Sequence, residues 1–181
     1  MKIGIFGGSF DPPHIGHVYA AIQAKEALNL DQMWLVPSYS AKSYGKKLSD
    51  GEDRAHMTGL MAMDYGLMWC SLMIEKKLKY TYQIVKAFEK EWPHNEFHII
   101  LGGDWDIKKF KSYEKIKWPV HIVRRPGGYE TGCESIFPEI NFNLSSSVIR
   151  KRIGMGLKFT GLVHPSVEQY IKEKKLYGYE G

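Results

Sequence analysis

Short apolar runs rich in β-branched and aromatic residues alternate with helical patterns along this chain, and that alternation limits its possible folds more than any other feature. Five runs are predicted to be strands, namely residues 2–7, 33–37 and 67–72, then FHIILGG and VHIVRRPGG. Helical spacing begins with Ile15, Val18 and Ile22 and returns at about residues 53–63, 81–92, 107–116, 146–155 and 165–174.

Strands and helices that alternate in this way form a parallel sheet covered on both faces. The sequence therefore predicts a single-domain, Rossmann-like, doubly wound α/β fold over residues 1–181, with helices at its C-terminal end. Such sheets bind ligands at the carboxyl ends of their strands. We expect the loops after Gly7, Pro37, Gly102 and Arg125 to face the site.

The composition, with 44% hydrophobic and 25% charged residues, is that of an ordinary globular protein. No apolar run approaches the roughly 20 residues that span a bilayer, and the two cysteines form no CxxC pair. A cytoplasmic protein without membrane association is therefore expected. The net charge of +5 suits an anionic partner, but no Lys/Arg run is long enough for a basic tail. Nucleic acid is not predicted as a partner, and a homo-oligomer is compatible with the sequence.

The segment GGSFDPPHIGH, residues 7–17, lies between the first predicted strand and the first predicted helix and combines several features of a phosphate site. Gly7 and Gly8 let the backbone approach a ligand closely. The helix N-terminus that follows attracts anions. His14 and His17 lie three residues apart in the first turn, so both imidazoles can donate to phosphate oxygens on one face.

Besides a phosphate site, this segment has three other interpretations: another type of glycine-rich nucleotide loop, a metal site and a structural turn. The glycines match neither a Walker A loop, because no Lys-Ser/Thr pair follows them, nor the GxGxxG pattern. The two histidines could ligate a metal, but no third His or Cys is near in sequence, so no metal site is predicted. A purely structural turn is the remaining alternative.

GGSFDPPHIGH resembles the signature of the HxGH nucleotidyltransferase superfamily, and the chain as a whole resembles its nicotinate (nicotinamide) mononucleotide adenylyltransferase branch. Four further segments match that branch in order from end to end. They are VPSYSAK with the R-x-x-M residues Arg54 and Met57, KYTYQIV, LGGDWDIKKFKSYEKI, and LSSSVIRKRI with GLVHPSVEQYIKEKKLYG.

The resemblance implies transfer of AMP from ATP to nicotinate mononucleotide, with nicotinamide mononucleotide as an alternative acceptor, and release of pyrophosphate in NAD biosynthesis. Mg²⁺ would accompany ATP as the cofactor. The implied catalytic residues are His14, His17 and Arg150. The implied ATP-binding residues are Gly7, Gly8, Ser9, Phe10, Gly16, Gly102, Asp104, Ser146 and Ser147, and the implied acceptor-binding residues are Lys42, Tyr80, Thr81, Trp105, Tyr113 and Arg125.

Each of these segments also has a structural interpretation. SSSVIRKR is compatible with an ordinary Ser-capped basic helix, Asp104 with a helix cap, and Tyr80 with Thr81 with a hydrophobic staple. Departures from the branch fall in the acceptor half: SAKSYGKK replaces a Pro-Pro-His-Lys/Arg run, Tyr113 replaces a Trp, and Gly103 replaces an Ala.

Two alternative functions follow from these departures and structural interpretations. One is transfer to another small phosphate such as phosphopantetheine. The other is a nucleotide-binding regulatory module without turnover.

Overall fold

Six parallel strands form one sheet in the computed structural model, which describes residues 1–40, 48–103, 115–124, 134–136 and 144–181. The strands are β1 (Lys2–Gly8), β2 (Gln32–Pro37), β3 (Met68–Trp69), β4 (Glu96–Gly102), β5 (Val120–Val123) and β6 (Glu134–Ile136). They lie in the order β3-β2-β1-β4-β5-β6. The order therefore reverses between β1 and β4, which is where sheets of this kind bind ligands. The predicted Rossmann-like, doubly wound fold is confirmed.

The helices are α1 (Ile15–Ala27), α2 (Gly51–Asp64), α3 (Leu72–Glu75), α4 (Thr81–Glu91), α5 (Ser146–Gly154) and α6 (Pro165–Glu173), followed by a 3-10 turn (Leu176–Gly178). Their starts follow from local chemistry. The Asp50 carboxylate accepts a hydrogen bond from the Glu52 amide at 2.8 Å before α2, and Ser145 Oγ accepts from the Val148 amide at 3.3 Å before α5. These caps satisfy amides that have no partner inside the helix.

Successive strand residues point to opposite faces of the sheet, and each face has its own core. One face, which we call the α1 face, is covered by α1, α2, α5 and α6. Its buried residues include Phe6, Val18, Leu35, Met57, Ile149 and Val167. The opposite face, the α4 face, includes Ile3, Ile5, Ile84, Val85, Phe88 and Ile99. Ile84, Val85 and Phe88 are therefore the positions through which α4 packs on the sheet.

One predicted strand is longer than the observed one, and two short elements of the structure were not predicted. The third strand, predicted at 67–72, is reduced to Met68–Trp69, because Ser71 already begins the turn that leads into the short helix α3. Both α3 and β6 were absent from the sequence prediction. The helix predicted at 107–116 lies almost wholly outside the described residues. No helix in the described part of the chain is long and apolar enough to cross a membrane.

Candidate active site

The loop after β1 lies at the carboxyl edge of the sheet and is held in place by Arg54 of α2. Arg54 is 1% exposed. Its Nη1 donates hydrogen bonds to the carbonyls of Ser9 at 2.9 Å and Ser38 at 2.7 Å, and its Nε donates to the carbonyl of Ser49 at 3.1 Å. Burial lowers the pKa of Arg54 and the nearby Asp11 carboxylate opposes that shift. This one side chain therefore joins the segments that follow β1 and β2 to the start of α2.

The two histidines of this loop are in direct contact. His14 immediately precedes α1 and His17 lies in its first turn. Their rings stack with centroids 3.7 Å apart and an interplanar angle of 26°. The His14 amide donates to His17 Nδ1 at 3.1 Å. Because that nitrogen is an acceptor, the neutral His17 ring carries its proton on Nε2, which is the nitrogen able to donate to a phosphate oxygen.

Aromatic packing fixes the His17 ring. Phe10 is fully buried and has a φ of 47°, an uncommon value for a residue with a side chain. Its ring meets His17 edge-on at 4.9 Å. A Cβ placed on Gly8 would lie 2.9 Å from the Phe10 ring, so Gly8 is required by this packing. Beside Gly7, in contrast, no described atom lies within 4 Å of such a Cβ, so a ligand has room there.

The N-terminal turn of α5 meets the same loop from a distant part of the chain. Ser146 Oγ donates to the Pro12 carbonyl at 2.8 Å, and Arg150 Nη1 donates to the Asp11 carbonyl at 2.6 Å. The Arg150 side chain is 34% exposed, so the rest of its guanidinium can reach a ligand. The N-termini of α1 and α5 thus converge at the end of β1 with the side chains of His14, His17 and Arg150. This arrangement suits a polyphosphate.

A cytidylyltransferase-like family model matches residues 5–152. That range includes most of α5 and residues 9–17, from the end of β1 through the start of α1, which we call the histidine loop. The chain belongs to the cytidylyltransferase-like family. Curated relatives within this family narrow the assignment. The "Probable nicotinate-nucleotide adenylyltransferase" of Shouchella clausii is 34% identical over 98% of this chain and 97% of the relative. The protein of the same name from Geobacillus thermodenitrificans is 34% identical over 98% of this chain and 86% of its own length. The predicted resemblance to nicotinate-nucleotide adenylyltransferases is confirmed.

Solved structures support the fold assignment. The nicotinic acid mononucleotide adenylyltransferase of Plasmodium falciparum, complexed with NaAD, superposes with a TM-score of 0.80 at 21% identity, over 99% of this chain and 98% of that one. The same enzyme complexed with APC gives a TM-score of 0.79. At this level of identity the likeness shows that the two chains share one fold over nearly their whole length.

Most of the predicted ATP-binding residues of this cytidylyltransferase-like chain fall in one region. Gly7, Gly8, Ser9, Phe10 and Gly16 lie in or beside the histidine loop. Their neighbours His14, His17, Ser146 and Arg150 are described above. Ser147 is exposed in the first turn of α5, and Gly102 ends β4, the strand next to β1. Asp104 lies outside the described residues.

The predicted acceptor residues are placed less completely. Tyr80 is 41% exposed and directly precedes α4, and Thr81 is its first residue. Gln83 Oε1 accepts from the amides of Lys79 and Tyr80 at 2.9 and 3.0 Å, which fixes the start of this helix. A hydrophobic staple would use the residue before the cap, Lys79, so Tyr80 does not form one. Lys42, Trp105, Tyr113 and Arg125 lie outside the described residues.

Three residues of the site, of which two are buried and one is partly buried, were not predicted as site residues. Arg54 was matched only to the R-x-x-M pattern, Asp11 lies inside the recognised GGSFDPPHIGH segment, and Tyr177 comes from the 3-10 turn. Tyr177 Oη donates to Asp11 Oδ1 at 2.8 Å across 166 positions of sequence. Arg54 and Asp11 therefore lie within recognised motifs. No local pattern relates Tyr177 to Asp11.

Proposed function

We propose that this chain transfers the AMP part of ATP to the phosphate of nicotinate mononucleotide and releases pyrophosphate. The observation that supports this most is the meeting of α5 with the histidine loop, made by the Ser146–Pro12 and Arg150–Asp11 hydrogen bonds. It brings two segments 134 or more residues apart to the strand-order reversal of the sheet. A triphosphate can be bound there from two sides.

The reaction requires positioning more than proton transfer. A phosphate oxygen of the acceptor attacks the α-phosphorus of ATP. The bond from that phosphorus to the oxygen bridging the α- and β-phosphates breaks, and pyrophosphate leaves with the electron pair. Because the acceptor phosphate is already ionised at neutral pH, no general base is needed. Catalysis then rests on in-line alignment and on stabilising the charge that develops at the reacting phosphate.

His17 is suited to stabilise that charge. The His14 amide and the Phe10 ring hold the imidazole in one orientation, with Nε2 as the donor. A donor fixed before the substrate arrives needs no reorganisation during the reaction. His14 stacks on His17 and is 4% exposed, so it supports this geometry from within the loop.

Arg150 is proposed to bind the β- and γ-phosphates together with Ser146 and Ser147. One of its N–H groups is used by the Asp11 carbonyl, which fixes the guanidinium plane. The remaining N–H groups form a fork that matches phosphate oxygens. The amides of the first α5 turn add donors and the favourable end of the helix dipole.

Mg²⁺ is proposed to accompany ATP. The described residues contain no group of three or more His, Cys, Asp or Glu side chains arranged to hold a metal ion. The nearby Asp11 carboxylate is already hydrogen-bonded to Tyr177 and to the Ser49 amide. Mg²⁺ commonly binds through substrate phosphates and water with few protein ligands, and such a site fits these residues. When bound, it neutralises phosphate charge.

The acceptor is proposed to bind at the start of α4. This helix precedes β4, which is parallel to β1, so its N-terminus lies at the same carboxyl edge of the sheet as the histidine loop. Its partially positive end favours the nicotinate carboxylate. Gln83 occupies the Lys79 and Tyr80 amides, so the Thr81 and Tyr82 amides are the groups proposed to meet that carboxylate.

Pyrophosphate release from ATP and Mg²⁺ tests the proposal when it is measured with three acceptors: nicotinate mononucleotide, nicotinamide mononucleotide and phosphopantetheine. Release with a pyridine mononucleotide, and formation of the corresponding dinucleotide by mass, is the expected result. Release only with phosphopantetheine would assign another acceptor. ATP binding without release from any of the three would favour a regulatory module.

A further inference from the structure

The carboxylate of Asp11 is buried between the histidine loop and the rest of the protein. Asp11 is 1% exposed. Its Oδ1 accepts from Tyr177 Oη at 2.8 Å, its Oδ2 accepts from the Ser49 amide at 3.1 Å, and Arg150 Nη1 lies 3.9 Å from Oδ2. A buried carboxylate is strongly destabilising unless such partners are present. Its position in the protein is therefore set by these three groups.

The backbone carbonyls of Asp11 and Pro12 accept hydrogen bonds from site residues of α5. The Asp11 carbonyl accepts from Arg150 and the Pro12 carbonyl accepts from Ser146. A shift of Asp11 would therefore move the Arg150 guanidinium and the first turn of α5, whose amides are proposed to bind the triphosphate. The link runs from Tyr177 through Asp11 to Arg150 by direct hydrogen bonds.

The turn that supplies Tyr177 has an unusual backbone. Lys175 and Tyr177 have φ values of 50° and 59°, in the left-handed region where residues with side chains are uncommon. Such conformations persist where the surroundings determine them, and they cluster at functional sites. Here the Tyr177 ring packs against the α1-face core while its hydroxyl reaches Asp11. Burial, followed by the charge of Asp11, raises the pKa of Tyr177, so the phenol stays a hydrogen-bond donor at neutral pH.

We infer that Tyr177 is a positioning residue for the phosphate site: its hydrogen bond to Asp11 sets the placement of Arg150 and Ser146 against the phosphates of ATP. The inference rests on the proposed function only in taking ATP as the ligand. A purely structural role for Tyr177 would lower stability without changing the affinity for ATP.

Tyr177→Phe tests this inference, because it removes the donor and keeps the ring. The matched control is Tyr179→Phe in the same segment, whose ring packs near Phe159 with centroids 6.3 Å apart. Binding of ATP with Mg²⁺ is measured by calorimetry without any acceptor, and thermal unfolding is measured on the same samples. Tyr177→Phe should weaken ATP binding about tenfold, the change expected for losing one hydrogen bond to a charged group. Tyr179→Phe should bind ATP as the wild type does. Equal ATP affinity in the two variants would overturn the inference.

A double-mutant cycle distinguishes an effect transmitted through the Tyr177–Asp11 hydrogen bond from a general loss of rigidity in the protein. Asp11→Asn should also weaken ATP binding, and the double variant Asp11→Asn/Tyr177→Phe should be no weaker than Asp11→Asn within about twofold. Additive losses would contradict the link. In steady state, Tyr177→Phe should raise KM for ATP and leave KM for the acceptor unchanged.

Failure of the proposed function is distinguishable from failure of this inference. A wild type that binds ATP and transfers AMP to no tested acceptor would contradict the proposed function, while the ATP affinities would still decide the role of Tyr177. A wild type that binds no ATP would overturn both.

Discussion

The proposed ATP side and the proposed acceptor side of this site are built differently. On the ATP side, Asp11 and Arg54 are each 1% exposed, and hydrogen bonds connect the loop after β1 to α2, α5 and the 3-10 turn. On the acceptor side, the described part is the start of α4. It is fixed by Gln83, three and four residues away, and is led by a 41%-exposed Tyr80.

This difference indicates how catalysis and specificity are divided. The proposed ATP side is held in place before the substrate arrives by contacts from α2, α5 and the 3-10 turn, which favours electrostatic stabilisation by fixed donors. The start of α4 depends on contacts within one turn. Substitutions there should therefore alter the choice of acceptor while ATP binding is retained, whereas substitutions on the ATP side should lower the rate with every acceptor.

The largest effect is expected on the ATP side, for His17→Ala. Removing one preorganised donor lowers kcat by about two to three orders of magnitude. The measurement is kcat with ATP and nicotinate mononucleotide, with unfolding recorded to show that the fold survives. His94→Ala, at an exposed histidine, is the control and should turn over normally. Near-normal turnover by His17→Ala would show that the fixed donors of the proposed ATP side do not determine the rate.

Arg150→Lys should have the next largest effect. Lysine keeps the charge and loses the planar fork, so kcat/KM for ATP should fall by about one to two decades. Arg152→Lys is a matched control on the same helix, because Arg152 Nε donates to the Lys158 carbonyl at 2.8 Å away from the loop contacts. KM is measured for both substrates in both variants. A rise in KM confined to the acceptor would show that Arg150 binds the acceptor and not ATP.

A smaller effect is expected in acceptor choice. Nicotinate mononucleotide should have a kcat/KM about one to two decades above that of nicotinamide mononucleotide, because helix-end amides cannot satisfy the carboxamide NH₂. The two values are compared at equal ATP and Mg²⁺. Equal values or a preference for the amide would indicate that the departures in SAKSYGKK and at Tyr113 define another specificity.

The smallest effect is expected on stability, for Tyr170, which lies outside the proposed ATP and acceptor sides. Tyr170 Oη donates to Asp53 Oδ1 at 2.8 Å and joins α6 to α2. Burial, followed by Asp53, raises the pKa of Tyr170 to about 12 from an ordinary 10. Because the folded pKa is the higher one, this contribution to stability is complete below pH 10 and is lost as the pH rises through about 12.

Tyr170→Phe should accordingly lower the free energy of unfolding by about 1 kcal/mol at pH 8. The kinetics with ATP and either acceptor should not change. Denaturant unfolding of both proteins from pH 8 to pH 11 should show the gap narrowing at the highest pH. A constant gap would mean that the hydrogen bond to Asp53 does not carry the effect.

Local patterns predicted the parts of the fold that depend on local chemistry. Gly7 and Gly8 after an apolar run, followed by His14 and His17 at the start of a helix, were enough to place the loop and α1. The third strand was overestimated because the apolar run at 67–72 continues past Trp69 into a helical turn. β6, with only three residues, is too short to produce a recognisable pattern.

Long-range contacts limited the prediction of the site. Arg54, Asp11 and Tyr177 come from separate parts of the chain and meet in the folded protein, where the Tyr177–Asp11 pair is 166 positions apart in sequence. Nothing in the composition of either segment indicates the other. The roles of His14, His17 and Arg150 were predicted instead from the motifs that contain them and from the resemblance of those motifs to a known family.

ATP labelled at its α-phosphorus and, separately, at its γ-phosphorus tests the central claim most directly, when each is incubated with nicotinate mononucleotide, Mg²⁺ and the wild-type protein. The account predicts that the α label appears in the dinucleotide and the γ label in pyrophosphate, in equal amounts and at equal rates. Release of the γ label as inorganic phosphate, or no transfer of the α label to the mononucleotide, would contradict it.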